Sequence, residues 1–178
     1  MDQHTWDGDP PKPWNCPEGR SILYVGKNLT ASAGEVFGEA GHALICPLLR
    51  VAILKPRTPI PVLDVCCEGC AMSIGALPSI AVGSYERRKT WEWAKAIYED
   101  QPVPDQKVFG IYYTAAYSGG RSLALWDRQG QVEVASDELG ALQDFALADA
   151  PILWRLNRCL STLKIPWELE FDCSHMSA

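Results

Sequence analysis

Tyr24 and Glu35 stand eleven residues apart, in the segment Tyr24-Val25-Gly26-Lys27-Asn28-Leu29-Thr30-Ala31-Ser32-Ala33-Gly34-Glu35. A strand-like run, Ser21-Ile22-Leu23-Tyr24-Val25, comes first, and helical spacing follows. An aromatic hydroxyl ending a strand and a carboxylate in the first turns of a helix can face one small cleft. Such a carboxylate can stabilise positive charge or orient an attacking water. The aromatic ring packs on a flat heterocycle while its hydroxyl fixes a polar edge. Tyr113 offers a second aromatic wall. Arg20 and Arg121 could hold a phosphate with their forked donors, and Lys27 could do so beside a helix start. Ser118 offers a hydroxyl donor and acceptor.

Each residue also has a purely structural reading. Ser32-Ala33-Gly34-Glu35 has the spacing of a capping box, in which Glu35 only helps to start a helix. Tyr24 and Tyr113 fit strand positions half-packed in a core. Arg20, Ser118 and Arg121 fit solvated turns. His42, seven residues after Glu35, falls on the same helical face if the helix runs that far.

The elements that must position these groups follow from periodicity. Residues 1–19 carry Pro10, Pro11, Pro13 and Pro17 among polar residues and read as an extended arm. Residues 21–26 read as a strand. Ala33, Val36, Phe37, Ala40 and Leu44 predict a helix over 30–44. Residues 50–54 and 61–65 read as short buried strands, with Pro56, Pro59 and Pro61 breaking the chain between them. A helix is predicted over 85–100, stopped by Pro102 and Pro104. Residues 108–113 and 121–126 read as a hairpin around Gly119-Gly120, and 131–134 as a further strand. Helices are predicted over 136–147 and 150–163, the first carrying a solvated acidic face, with a frayed tail from 166. Strands and helices mix without regular alternation, which predicts a single α+β domain over 20–165: a mixed sheet with flanking helices.

Composition narrows the function classes. The chain has 178 residues, 47% hydrophobic and 21% charged, enough for one domain with a real core. A net charge of −6 argues against nucleic acid as ligand, because phosphate binding needs clustered cations. No apolar run approaches the roughly 20 residues of a membrane helix. The first residues carry no secretion signal, and seven cysteines without regular spacing fit a reduced cytoplasmic chain with free thiols. Cys67 and Cys70 form a C-x-x-C pair, the rival feature, readable as half a zinc site or as a redox pair. Zinc would require Cys159, Cys173, His175 or His42 to close the ligand set.

Three motifs in order resemble the RES domain family. The first is Trp14-Asn15-Cys16-Pro17, then Leu23-Tyr24-Val25-Gly26 and Glu35. The second is Val62-Leu63-Asp64-Val65. The third is Gly110-Ile111-Tyr112-Tyr113-Thr114-Ala115, followed by Ala124-Leu125-Trp126-Asp127. The resemblance covers roughly residues 14–128. It departs where Pro13 stands at the family's Arg and Ala115 at the family's Ser, with Arg20, Ser118, Arg121 and Ser122 as nearby candidates to substitute.

The resemblance implies a fold similar to the ADP-ribosyltransferase toxins. It implies a toxin of a bacterial toxin–antitoxin pair that degrades NAD as substrate, with no bound cofactor or metal, and an Xre-like helical antitoxin as partner. Glu35 and Tyr24 would then be catalytic. Arg20, Lys27, Tyr113, Ser118 and Arg121 would bind the dinucleotide. The alternatives are a RES-fold protein that binds without turnover, an ADP-ribosyltransferase, and a C-x-x-C zinc or redox protein.

Overall fold

The structure is a computed structural model and describes residues 22–81 and 87–171. Its centre is a four-stranded sheet. Strand β1 (Ile22–Gly26) forms from the predicted alternating run. The hairpin forms as expected, from β6 (Gly110–Thr114) and β7 (Arg121–Trp126). A two-residue strand, β5 (Leu63–Asp64), completes the sheet in the order β1-β7-β6-β5. The first two pairings are antiparallel and the last is parallel, so the sheet is mixed.

Helix α1 (Leu29–Phe37) starts where Asn28 Oδ1 accepts from the Ala31 backbone N–H at 2.9 Å. Asn28 is therefore the N-cap, and Ser32 and Glu35 make no capping box. The helix also ends earlier than predicted, at Phe37. Gly38 follows at once and Gly41 takes a left-handed φ of +66°. Residues 43–45 instead become β2 (Ala43–Ile45). His42 thus lies outside the helix and shares no helical face with Glu35.

The predicted strand over 50–54 is split into β3 (Arg50–Ala52) and β4 (Leu54–Pro56). Helix α2 (Cys70–Ser73) is a single turn, and α3 (Arg87–Asp100) fills the predicted helix as far as it is described. Residues 132–134 are a strand, β8 (Val132–Val134), paired with β4 and not with the hairpin.

The helix predicted over 136–147 does not form. Asp137 Oδ1 accepts from the backbone of Leu139 and Ala141 at 2.9 Å each, and Gly140 has φ +84°. Local side-chain bonding of this kind competes with helix formation. The chain then enters β9 (Asp144–Ala146), paired with β3, and Asp144 meets Arg50 at 3.0 Å. The acidic stretch is accordingly no helix face.

Helix α4 (Ala150–Leu163) matches its prediction, with a proline in its first turn and a left-handed C-cap at Lys164. The expected tail begins with β10 (Trp167–Leu169), which pairs in parallel with β2, so the fold continues past residue 165.

Two hydrophobic clusters hold these parts. Ala33 and Phe37 of α1 pack with Ala43, Ile45, Leu147, Leu156, Leu160 and Ile165. Ile97 of α3, Val108 and Trp126 gather Ile22, Leu63, Ala94, Tyr98 and Ile111. Side chains alternate across a strand, so the register sorts the sheet's residues. Ile22, Tyr24 and Gly26 share a face with Trp126, Ala124 and Ser122, and with Ile111 and Tyr113. At one end of that face α3 packs over Trp126, with Tyr98 edge-on at 5.6 Å. At the other end lies the first turn of α1, over Gly26.

Small residues permit that close approach. A Cβ on Gly26 would stand 2.5 Å from the Ser32 backbone nitrogen, and one on Gly34 would stand 2.8 Å from Ser118 Cβ. The Gly26 neighbour is backbone and cannot swing aside. We expect Gly26→Ala to cost about 1–3 kcal/mol, as overpacking does. For a chain of this size that lowers the melting temperature by roughly 2–12 °C. An unchanged melting curve would mean that α1 is not docked this tightly.

Candidate functional site

Glu35 lies in the second turn of α1, on the side turned to the sheet. Its helix is fixed beneath it by Ala31, which is fully buried, and by Gly34 against the hairpin loop. From β6, the Tyr113 hydroxyl donates to Glu35 Oε1 at 3.2 Å, linking residues 78 apart in sequence. Tyr24 projects from β1 on the same face, 39% exposed and close enough to influence Tyr113 electrostatically.

Between the two tyrosines runs β7, whose residues opposite them on this face are Ala124 and Ser122. Tyr24 sits opposite Ala124, and Tyr113 opposite Ser122. Two strand spacings separate the tyrosine-bearing strands, roughly 10 Å. Small residues thus lie between two aromatic ones on this face, with Glu35 beside Tyr113.

The electrostatics of the pair point one way. The Tyr113 phenol is held far above its ordinary pKa of 10.0. Burial is the first cause, followed by the Glu35 charge, the neighbouring Tyr24 and the hydrogen bond to Glu35. Each disfavours a phenolate. Tyr113 is thus a permanently protonated donor that fixes Glu35. It is no acid or base near neutral pH.

The other expected residues fall elsewhere. Arg20 lies outside the described residues, as do Trp14, Asn15 and Pro17. Lys27 is exposed at the end of β1, immediately before the N-cap of α1, and its backbone N–H donates to the Arg121 carbonyl at 2.8 Å. Ser118 is not turned into the cleft as expected: its Oγ accepts from the Gly120 backbone at 3.1 Å and its Cβ packs beneath Gly34. It staples the hairpin loop.

Arg121 is also displaced from its expected role. Strand alternation puts it beside Thr114 on the opposite face of the sheet, where its guanidinium donates to Thr114 Oγ1 at 2.7 Å. The Cys66 sulfur lies 3.5 Å from the same oxygen. Arg121 and Glu35 therefore belong to different faces. Ala115, where the resemblance puts a serine, is buried at the mouth of the loop.

The C-x-x-C pair is closed on itself. Cys67 and Cys70 form a disulfide with Cα atoms 5.3 Å apart, against the expectation of free thiols throughout. Cys46, Cys66 and Cys159 are in no disulfide, and Cys159 accepts from the Thr30 hydroxyl at 3.2 Å. Among the described residues no three His, Cys, Asp or Glu side chains are grouped to hold a metal. Cys173 and His175 lie outside them. No described helix is long and apolar enough to cross a membrane.

Ser122 was a nearby candidate to stand in for the family's missing residues, with no role assigned to it. It is 1% exposed, buried beside Tyr113. A signal for it existed: a hairpin turning at Gly119-Gly120 brings Ser122 opposite Tyr113 once the register is known.

Comparisons with family models, with curated proteins and with solved structures gave no match.

The Tyr113 environment sets a pH dependence. The folded pKa is raised, so above about pH 10 the folded state binds more protons than the unfolded chain. Stability from this group is full below the ordinary tyrosine value and is lost as pH rises above it. We expect the unfolding free energy of the native chain to fall more steeply above pH 10 than that of Tyr113→Phe. Chemical denaturation at pH 8 and above pH 10 measures this. Parallel profiles would mean that Tyr113 is not buried against Glu35.

Proposed function

We propose that this chain is a RES-type enzyme that binds NAD and cleaves its nicotinamide–ribose bond, with a fold akin to the ADP-ribosyltransferase toxins. The observation that carries the proposal is the Tyr113–Glu35 hydrogen bond at 3.2 Å, made above a small-residue floor that Tyr24 also borders. It joins the first and third sequence motifs in one cleft.

The chemistry follows from the groups present. Breaking the glycosidic bond leaves positive character on the ribose carbon and ring oxygen, while nicotinamide departs as a neutral base. The Glu35 carboxylate stabilises that charge and can orient the acceptor. Tyr113 keeps Glu35 pointed at the ribose, and because it stays protonated it holds the carboxylate without competing for the acceptor's proton. Tyr24 packs its ring on the nicotinamide. Water, phosphate or a protein side chain can complete the bond. Lys27, beside the start of α1, is a described cation for the pyrophosphate in this reading. In this reading an Xre-like helical protein covers the cleft as antitoxin.

The test is nicotinamide release from NAD by purified protein, with and without phosphate. We expect Glu35→Gln to reduce kcat by about 100-fold or more, the scale of losing one electrostatic stabiliser. Tyr24→Ala is expected mainly to raise KM. Release by the native chain no faster than by Glu35→Gln would end the enzyme reading.

One observation favours a second reading, binding without turnover. Arg121, an expected phosphate ligand, is engaged with Thr114 on the far face. Calorimetry showing NAD bound intact, with no nicotinamide released, would establish it.

A further inference from the structure

Ser122 is the one residue with a buried polar side chain in the cleft's floor, 1% exposed. Its Oγ makes no hydrogen bond of ordinary geometry in the resting fold. A buried hydroxyl without a partner costs stability, and a strand position in a hydrophobic face would accept alanine at no such cost. Its surroundings limit what it can serve. On one side it pairs with Gly26, which has no side chain. On the other it pairs with Tyr113, whose own proton goes to Glu35. The Tyr113 oxygen has a lone pair left for a donor.

We propose that Ser122 is a positioning residue: its hydroxyl donates to the Tyr113 phenol oxygen and thereby holds the phenol proton on Glu35. The three groups then form one chain, Ser122 to Tyr113 to Glu35. Each hydrogen bond in such a chain polarises the next, so the Ser122 bond makes Tyr113 a stronger donor to the carboxylate. The direction of the electrostatics agrees: Ser122 opposes the other influences on Tyr113, as a donor to its oxygen must. Hydrogen bonds of catalytic groups are often long before substrate arrives and tighten afterwards, which fits the unmet geometry here. Ser122 does not touch the ligand, since its oxygen is sealed from solvent. It acts through Tyr113. The assignment rests on reading Tyr113 and Glu35 as the working pair, and its test is separable from that reading.

The experiment uses the full chain as native protein, Ser122→Ala, Tyr113→Phe and the double variant. A second set carries 3-fluorotyrosine at position 113. Ser122→Ala should fold and melt no lower than the native chain. Its fluorine resonance at position 113 should move, and it should move in the same chain with Glu35→Gln. In nicotinamide release, Ser122→Ala should lower kcat by about 5–10-fold, one hydrogen bond's worth, with KM changed less than about two-fold. In the Tyr113→Phe background the same change should have almost no further effect. An unmoved fluorine resonance, or an equal loss in both backgrounds, overturns the assignment. If no variant or native chain releases nicotinamide, the NAD reading fails, and the fluorine resonance alone still decides Ser122.

Discussion

The close seating of α1 on one corner of the sheet is the constraint on which the rest depends. It requires Gly26 on β1, Gly34 on the helix and Gly120 in the hairpin loop, each meeting a neighbour at 2.9 Å or less if given a Cβ. Ordinary side chains at these points would lift the helix away from the strands. With the helix seated, Glu35 reaches Tyr113. The opposite side of the helix, through Ala33 and Phe37, packs into the cluster with Leu156 and Leu160 of α4. One short helix thus joins the sheet to the second core, and the cleft lies along that join.

The central strand separates two polar sets that proximity in sequence would have merged. Arg121 and Ser122 are adjacent, yet alternation sends Arg121 to Thr114 and Cys66 on one face and Ser122 to Tyr113 and Glu35 on the other. A cation beside a carboxylate would neutralise it and draw it away from a developing positive charge. Arg121 is held behind the sheet, while the neutral Tyr113 phenol donates to Glu35. A neutral donor orients a carboxylate and leaves most of its charge available.

Much of this fold could be read from periodicity. The hairpin from Gly110 to Trp126, helix α4 and strand β1 are strongly patterned, and their local preferences agree with their final state. The failures have physical causes. Residues 136–147 carry helix-like apolar spacing, but Asp137 binds its own downstream backbone and Gly140 turns the chain. Helix α1 stops at Phe37 because glycines follow, although Ala40 and Leu44 continue the helical spacing. The site was visible only as far as local order reaches. Tyr24 and Glu35 come from one strand–helix unit, and Tyr113 from a strand whose face could be guessed. The displacement of Arg121 and the burial of Ser122 depend on a register that no single segment contains.

The chemistry of the cleft therefore turns on one asymmetry. A tyrosine beside a carboxylate can share a proton only if their affinities for it are close, and here burial and charge drive them apart. Tyr113 keeps its proton, so Glu35 remains an acceptor with a fixed direction, and proton exchange between them contributes nothing. A site built this way is poorly suited to general acid catalysis by the phenol. It is well suited to a reaction in which positive charge grows opposite a carboxylate and the leaving group needs no proton. Loss of nicotinamide from a ribosyl carbon is such a reaction, because the departing ring already carries the positive charge that it discharges. The fit between a carboxylate oriented by a phenol that keeps its proton and a leaving group that requires no acid is the strongest chemical reason to pair this cleft with that bond.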